Sequence, residues 1–227
     1  KKTLRTSANT YFKINRKKYS SELSDFNIAS YKLFLITLRI KLFFKKQTYK
    51  KKALKKIPDT KYIYFACPAQ PEATTLPSAL ELRRISVALK MLSEAVPEGV
   101  RILFKENPVV FTLRNPYISG SDSFKYEYYE SILKIGKNDF IDVNVNTLEL
   151  IDKSLGVAAI NGTAPIEAVI KNKLAITLSS NWYDGINGVY KCTSANDMKK
   201  VISKMLEYPK IETNIFSLPF NKDVLIE

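Results

Sequence analysis

The segment Val157-Ala158-Ala159-Ile160-Asn161-Gly162-Thr163-Ala164-Pro165-Ile166-Glu167-Ala168 runs from an apolar stretch through a small polar turn into a helix start. Gly162 allows close backbone approach. Thr163 is placed to cap the helix or to bind an oxyanion, and Ala164 and Pro165 open the first turn, where a missing N–H costs little. Free N–H groups at such a start suit a phosphate, and Glu167, one turn in, is in reach of a ribose hydroxyl pair. The plainer reading is an ordinary helix after a glycine turn, and spacing alone does not separate the two. A second loop, Cys67-Pro68-Ala69-Gln70-Pro71-Glu72-Ala73-Thr74-Thr75, has its path fixed by prolines and offers Gln70 and Glu72. Glu72 is the candidate for accepting a proton or holding a sugar hydroxyl. Against that stands a rigid loop in which Thr75 or Ser78 caps the next helix. Lys105, in Phe104-Lys105-Glu106-Asn107-Pro108, and Arg114 could neutralise a diphosphate or a sugar carboxylate, or be surface charge. Trp182-Tyr183 offers a stacking face for a base or sugar ring, or is a core or rim aromatic cluster.

These loops need a scaffold that brings them together. From Lys61 onward, β-rich runs alternate with helical patterns. Strands are expected at Tyr62–Ala66, Val100–Lys105, Asp139–Val143, Val157–Ile160 and Leu174–Leu178. Helices are expected at Ala79–Ala95, Phe124–Ile135, Leu148–Lys153, Ala164–Ile170 and Asn196–Leu206. That alternation implies an α/β fold, a Rossmann-like parallel sheet with helices on both faces. Ligands of such sheets bind beyond the carboxyl ends of the strands, and all four polar loops would open onto that edge.

Composition excludes several classes of function. The 227 residues contain no histidine and two distant cysteines, Cys67 and Cys192, so a zinc site or a Ser-His-Asp triad is not expected, and no metal site is predicted. The net charge of +14 is concentrated at one end. Residues 1–57 hold 17 Lys+Arg against 2 Asp+Glu, whereas residues 58–227 hold 19 against 20. We therefore read a basic, mostly helical arm or interdomain linker at 1–57 and a neutral domain at 58–227. A nucleic-acid-binding protein would more often carry its basic groups on the folded face that reads the ligand, so nucleic acid is the least favoured partner.

Taken together, the loop segments resemble the capsule polysaccharide biosynthesis family, which includes bacterial Kdo transferases of capsule assembly. Gln70-Pro71-Glu72-Ala73-Thr74-Thr75 matches its QPE(x)TT loop, and Lys105-Glu106-Asn107-Pro108 its Lys-Glu-His-Pro motif. Gly162-Thr163-Ala164-Pro165-Ile166-Glu167-Ala168 matches its Gly-Thr-x-x-x-Glu-Ala element, and Trp182-Tyr183 its Trp-Tyr pair. The ordered set spans about 145 residues. The resemblance implies the C-terminal, donor-binding half of a GT-B glycosyltransferase. Its co-substrate would be a nucleotide-sugar, CMP-Kdo or a related sugar, with no further cofactor, and its acceptor a glycan or lipid-linked glycan. By position, Asn107, Thr163 and Glu167 would contact the nucleotide, and Gln70 and Glu72 would border the cleft. Asn107 stands where the family has histidine; it can donate a hydrogen bond to phosphate but cannot carry charge. A complete enzyme of this type has a second domain, so an N-terminal half is expected.

The arm itself is open to three readings. Asn27–Lys56 lacks Gly and Pro, and Leu33, Ile36, Ile40, Phe43 and Phe44 recur at helical spacing before a lysine-rich end. It reads as an interdomain or packing helix, or as a basic helix on an anionic membrane surface through residues 27–56. Nucleic acid is less favoured than any of these three. Lys32, Arg39 and Lys41 interrupt the most apolar window, Ile28–Phe44, so no spanning helix is expected. The first residues show no signal peptide pattern. A cytoplasmic protein, peripheral at the inner face of the cell membrane, is the expectation, with a non-catalytic glycan-assembly module that binds a partner enzyme or the membrane through the arm as the alternative function.

Overall fold

Short runs of apolar residues bounded by turns can be buried on both faces only in a sheet covered by helices on each side, and the chain folds accordingly. The computed structural model describes residues 28–68, 84–112 and 128–208. Helix α1 (Ile28–Lys52) runs into a two-residue strand, β1 (Ala53–Leu54), and then β2 (Tyr62–Ala66). There follow α2 (Ile85–Ala95), β3 (Arg101–Lys105), a 3-10 turn at Pro108–Phe111, α3 (Tyr128–Lys134) and β4 (Asn138–Ile141). The series ends with α4 (Thr147–Lys153), β5 (Gly156–Ala159), α5 (Ala164–Ile170), β6 (Leu174–Thr177), β7 (Val189–Lys191) and α6 (Ala195–Glu207).

Among the described residues these strands form one seven-stranded sheet, in the order β1-β4-β3-β2-β5-β6-β7, with parallel neighbours throughout. Counted from β2, the order is 3-2-1-4-5-6, the doubly wound Rossmann arrangement, with β1 added at one edge. The chain leaves β2 first toward β3 and β4 and later crosses to β5 on its other side. The topological switch point therefore lies between the carboxyl ends of β2 and β5.

Alternation along each strand divides the core between the two faces. Ile63, Phe65, Ile102, Phe104, Phe140 and Ile176 pack with residues of α2, α3 and α6, including Leu89, Leu92, Ile132, Met198 and Met205. On the opposite face Tyr62, Tyr64, Leu103, Ile141 and Val157 pack with Leu150 and Ile151 of α4 and Ala168 of α5. Gly156 is required by this packing: a Cβ there would lie 2.6 Å from Met205 Sδ and 2.7 Å from the Leu174 carbonyl oxygen.

Two compact units divide the chain, Lys1–Phe43 and Phe44–Glu227, and the sheet belongs to the second. The division falls inside α1, whose last turns are part of the sheet unit. Tyr49 is fully buried there, its ring against Phe111, Tyr129 and Phe140. Its hydroxyl donates to the Ile141 carbonyl at 2.6 Å and accepts from the Glu106 N–H at 3.0 Å. The helical pattern at Asn27–Lys56 is thus shorter than expected at its end, because Ala53 and Leu54 pair with Phe140 and Ile141. Neither β1 nor β7 was foreseen from sequence. Among the described residues no helix is long and apolar enough to cross a membrane.

Candidate functional site

On its β5 side the switch point is formed by the turn that follows β5, supported by the turn that follows β6. Ile160 and Asn161 continue β5 as buried residues, and Gly162 turns the chain at φ +103°, a conformation that disfavours a side chain. A Cβ at Gly162 would meet nothing within 4 Å, so the space beside this turn is open. The turn is held from β6. Ser179 Oγ donates to the Ile160 carbonyl at 2.6 Å, and the Tyr183 hydroxyl donates to the Gly162 carbonyl at 2.7 Å. These two bonds fix the Gly162 backbone from one side.

On this support Thr163 and Glu167 form a pair: Thr163 Oγ1 donates to Glu167 Oε1 at 2.8 Å, at an exposed position. Thr163 does not cap α5 with its side chain, as the sequence allowed, because its hydroxyl is committed to Glu167. Ala164 opens the helix half-buried against the α4–α5 face of the core. Trp182 is 82% exposed beside the same turn, with its ring edge-on to Tyr183 at 5.3 Å. The two aromatics read together as a stacking face are therefore different in kind. Trp182 presents its ring to solvent, whereas Tyr183 is buried and holds Gly162; burial, then the Asp184 charge, pushes its hydroxyl up to about 12.

The end of β3 supplies a second group of residues. Because side chains alternate, Lys105 and Glu106 go to opposite faces of the sheet. Lys105 is buried, and its ammonium donates to the Val145 carbonyl at 2.6 Å and to Thr147 Oγ1 at 2.8 Å. It was expected as an anion partner; here it ties β3 to the β4–α4 loop, with burial lowering its pKa and Asp142 opposing that shift. Asn107 accepts the Val109 N–H on Oδ1 at 3.0 Å, capping the 3-10 turn. The acceptor of its amide is thus occupied, and the amide NH2 is the group suited to a phosphate oxygen.

Glu106 is the residue that sequence reasoning passed over. It is fully buried, accepting the Asn107 N–H at 3.1 Å and the Tyr129 hydroxyl at 3.1 Å. Burial raises its carboxyl above the ordinary range, and the Lys45 ammonium, from the end of α1, is the main influence pulling it back. Burial likewise lowers Lys45 against the pull of Glu106. Cys67, at the end of β2, joins this cluster with its thiol pushed well up by burial, then by the Glu106 charge. The available signal was the charged residue inside a strand-end motif followed by Pro108, a place where a sheet covered on both faces buries both of two neighbouring charges.

Gln70, Glu72 and Arg114, the other residues read as candidates, lie outside the described residues. Among the described residues no three His, Cys, Asp or Glu side chains gather as metal ligands. What the described edge offers is an open turn, an exposed hydroxyl–carboxylate pair, an exposed indole face and a capped amide, all following strands of one sheet. Such a set can hold a polar ligand carrying hydroxyls and a ring.

A model of the family described as "Capsule polysaccharide biosynthesis protein" matches residues 19–208. The chain belongs to that family. Among solved structures, this capsule-family chain is similar to a Thermosulfurimonas dismutans KpsC, beta Kdo 2,7 transferase, at 16% identity and a TM-score of 0.46, over 76% of this chain and 57% of that one. It is also similar to the UDP-GlcNAc 2-epimerase from Methanocaldococcus jannaschii, at 15% identity and a TM-score of 0.45, over 75% and 43%. A curated 3-dehydroquinate dehydratase from Listeria monocytogenes serotype 4a (strain HCC23) is 30% identical over 95 residues, 40% of this chain and 34% of that one. The chain thus spans about a third of the curated relative and about half of the solved structures it resembles. Family membership rests on the family match, which extends over most of the chain.

Proposed function

We propose that this chain is the donor-binding half of a nucleotide-sugar-dependent GT-B glycosyltransferase acting in capsular or surface polysaccharide biosynthesis. The observation that carries the reading is the exposed Thr163–Glu167 pair at the switch point of a chain that belongs to the capsule family. In a doubly wound sheet this is where a nucleotide lies. Glu167 accepts ribose hydroxyls, Trp182 stacks on the base, and the Gly162 turn leaves room for the phosphate to approach the backbone. Asn107 donates its amide NH2 to phosphate, and Arg114 supplies positive charge. By the family resemblance Gln70 and Glu72 are assigned to the cleft border, with Glu72 as the candidate general base. The donor proposed is CMP-Kdo or a related nucleotide-sugar, and the acceptor a glycan or lipid-linked glycan. No further cofactor enters this chemistry.

The test is a calorimetric titration of the chain with a panel of cytidine and uridine nucleotides. Saturable binding of one of them is expected, weakened about tenfold by Glu167→Ala through loss of a hydrogen bond to a charged acceptor. No binding by any member of the panel would overturn the reading. One observation favours a second reading, a non-catalytic assembly module of the same fold. Asn107 cannot carry the charge of the histidine found in the family motif. Nucleotide binding without sugar transfer, in a protein containing both halves, would select it.

A further inference from the structure

Helix α1 carries eight basic residues and no acidic one in its 25 positions. Its apolar residues do not gather on one side. Leu38 and Leu42 are buried, whereas Leu33, Ile36, Ile40 and Phe43 are between 51% and 65% exposed. At the helical repeat those four fall within an arc of roughly 80°, on the side opposite Leu38 and Leu42. Exposed Arg39 and Lys41 border the arc on its two sides. A helix that has already buried one apolar face has no folding reason to keep a second one in water, and a row of large apolar side chains in solvent marks an interaction surface.

We propose that this face of α1 docks on an anionic lipid bilayer. Leu33, Ile36, Ile40 and Phe43 enter the boundary between headgroups and acyl chains, while Arg39 and Lys41 meet the lipid phosphates. Charge decides between occupants. A second copy of the chain would set one cationic helix against another, whereas an anionic surface neutralises it. The helix lies on the bilayer and does not cross it, since no described helix is long and apolar enough to span. The inference uses no residue of the donor site and stands independently of it.

The experiment is co-sedimentation of the whole chain with vesicles of phosphatidylcholine alone and of phosphatidylcholine mixed with phosphatidylglycerol, at low and high salt. Binding to the mixed vesicles alone, weakened by salt, is expected. Arg39→Glu with Lys41→Glu should lower the partition coefficient at least roughly 25-fold, from about fivefold for each cation removed near an anionic surface. Ile36→Ser with Ile40→Ser should lower it by roughly tenfold or more per residue at low salt, because each removes a side chain that the bilayer would bury. Both positions are exposed, so each variant should keep the unfolding curve and any nucleotide affinity of the parent. Absence of binding to either vesicle, equal binding to both, or full binding by the variants would overturn the proposal. So would a chain that self-associates in light scattering and is dissociated by the two serine substitutions, since this face would then belong to a second copy.

Discussion

Glu106 sits where β3 leaves the sheet, with its carboxyl out of water and bonded to the Asn107 N–H and the Tyr129 hydroxyl. Its acceptor oxygens and its charge have opposite effects on stability. The oxygens satisfy two donors, and Glu106→Ala leaves both unmatched, a cost of about 1–3 kcal/mol for each buried donor stranded. The charge is disfavoured: burial moves Glu106 and Lys45 each toward its neutral form, and their attraction restores only part. A carboxyl whose folded pKa lies above its unfolded one stabilises the fold most below the unfolded value, and that contribution is lost as pH rises through the folded value. Stability of the parent relative to Glu106→Gln should therefore fall as pH rises above the ordinary 4.5. Gln keeps one acceptor oxygen, so at neutral pH Glu106→Gln should cost less than Glu106→Ala. Urea unfolding of the three proteins across pH checks this; a parent whose stability relative to Glu106→Gln rises as pH rises above the ordinary 4.5 would reverse the assignment of cost to charge. Glu167 behaves differently, since its bond to Thr163 is exposed. Glu167→Ala should change stability by less than about 0.5 kcal/mol while weakening nucleotide binding about tenfold.

Among the elements, the end of α1 and strand β5 are each held by one residue whose replacement has a defined effect. Tyr49→Phe keeps the ring packing but strands the Glu106 N–H and the Ile141 carbonyl, and should cost about 1–3 kcal/mol in thermal or urea unfolding. Gly156→Ala places a methyl against Met205 and, less forgivingly, against the Leu174 carbonyl oxygen. Overpacking of that kind should cost about 1–3 kcal/mol, and an unchanged melting temperature would mean that α6 moves aside freely. These elements also show what a linear reading can see. Tyr62–Ala66, Val157–Ile160 and Leu174–Leu178 were legible because a strand buried on both faces must be apolar throughout. β1 and β7 were not. Ala53–Leu54 is two residues at the end of a lysine-rich helix, and Val189–Lys191 is only partly buried. Each is a strand because a neighbour's edge was free to pair with it, which no local pattern records. Within the site, the Gly162–Glu167 turn was legible because it follows an apolar strand directly. Tyr183 was not, since a buried tyrosine anchoring a carbonyl and an exposed stacking ring look alike in sequence. Glu106 depends on Lys45 and Tyr129, partners brought to it only by the fold.

For the whole molecule, a neutral Rossmann-type sheet follows a cationic helix with an apolar face in solvent. The proposed division of labour is that the sheet binds an activated sugar and the helix holds the protein at a surface. The first part is the central claim, and the chain carries its own probe for it. Trp182 is the single tryptophan, exposed beside the Gly162 turn. Its fluorescence, titrated with cytidine and uridine nucleotides, should change saturably for the nucleotide of the donor, with a midpoint about tenfold higher in Glu167→Ala. A flat response to every nucleotide in the parent, or an unaltered titration in the variant, would contradict a donor site at this switch point.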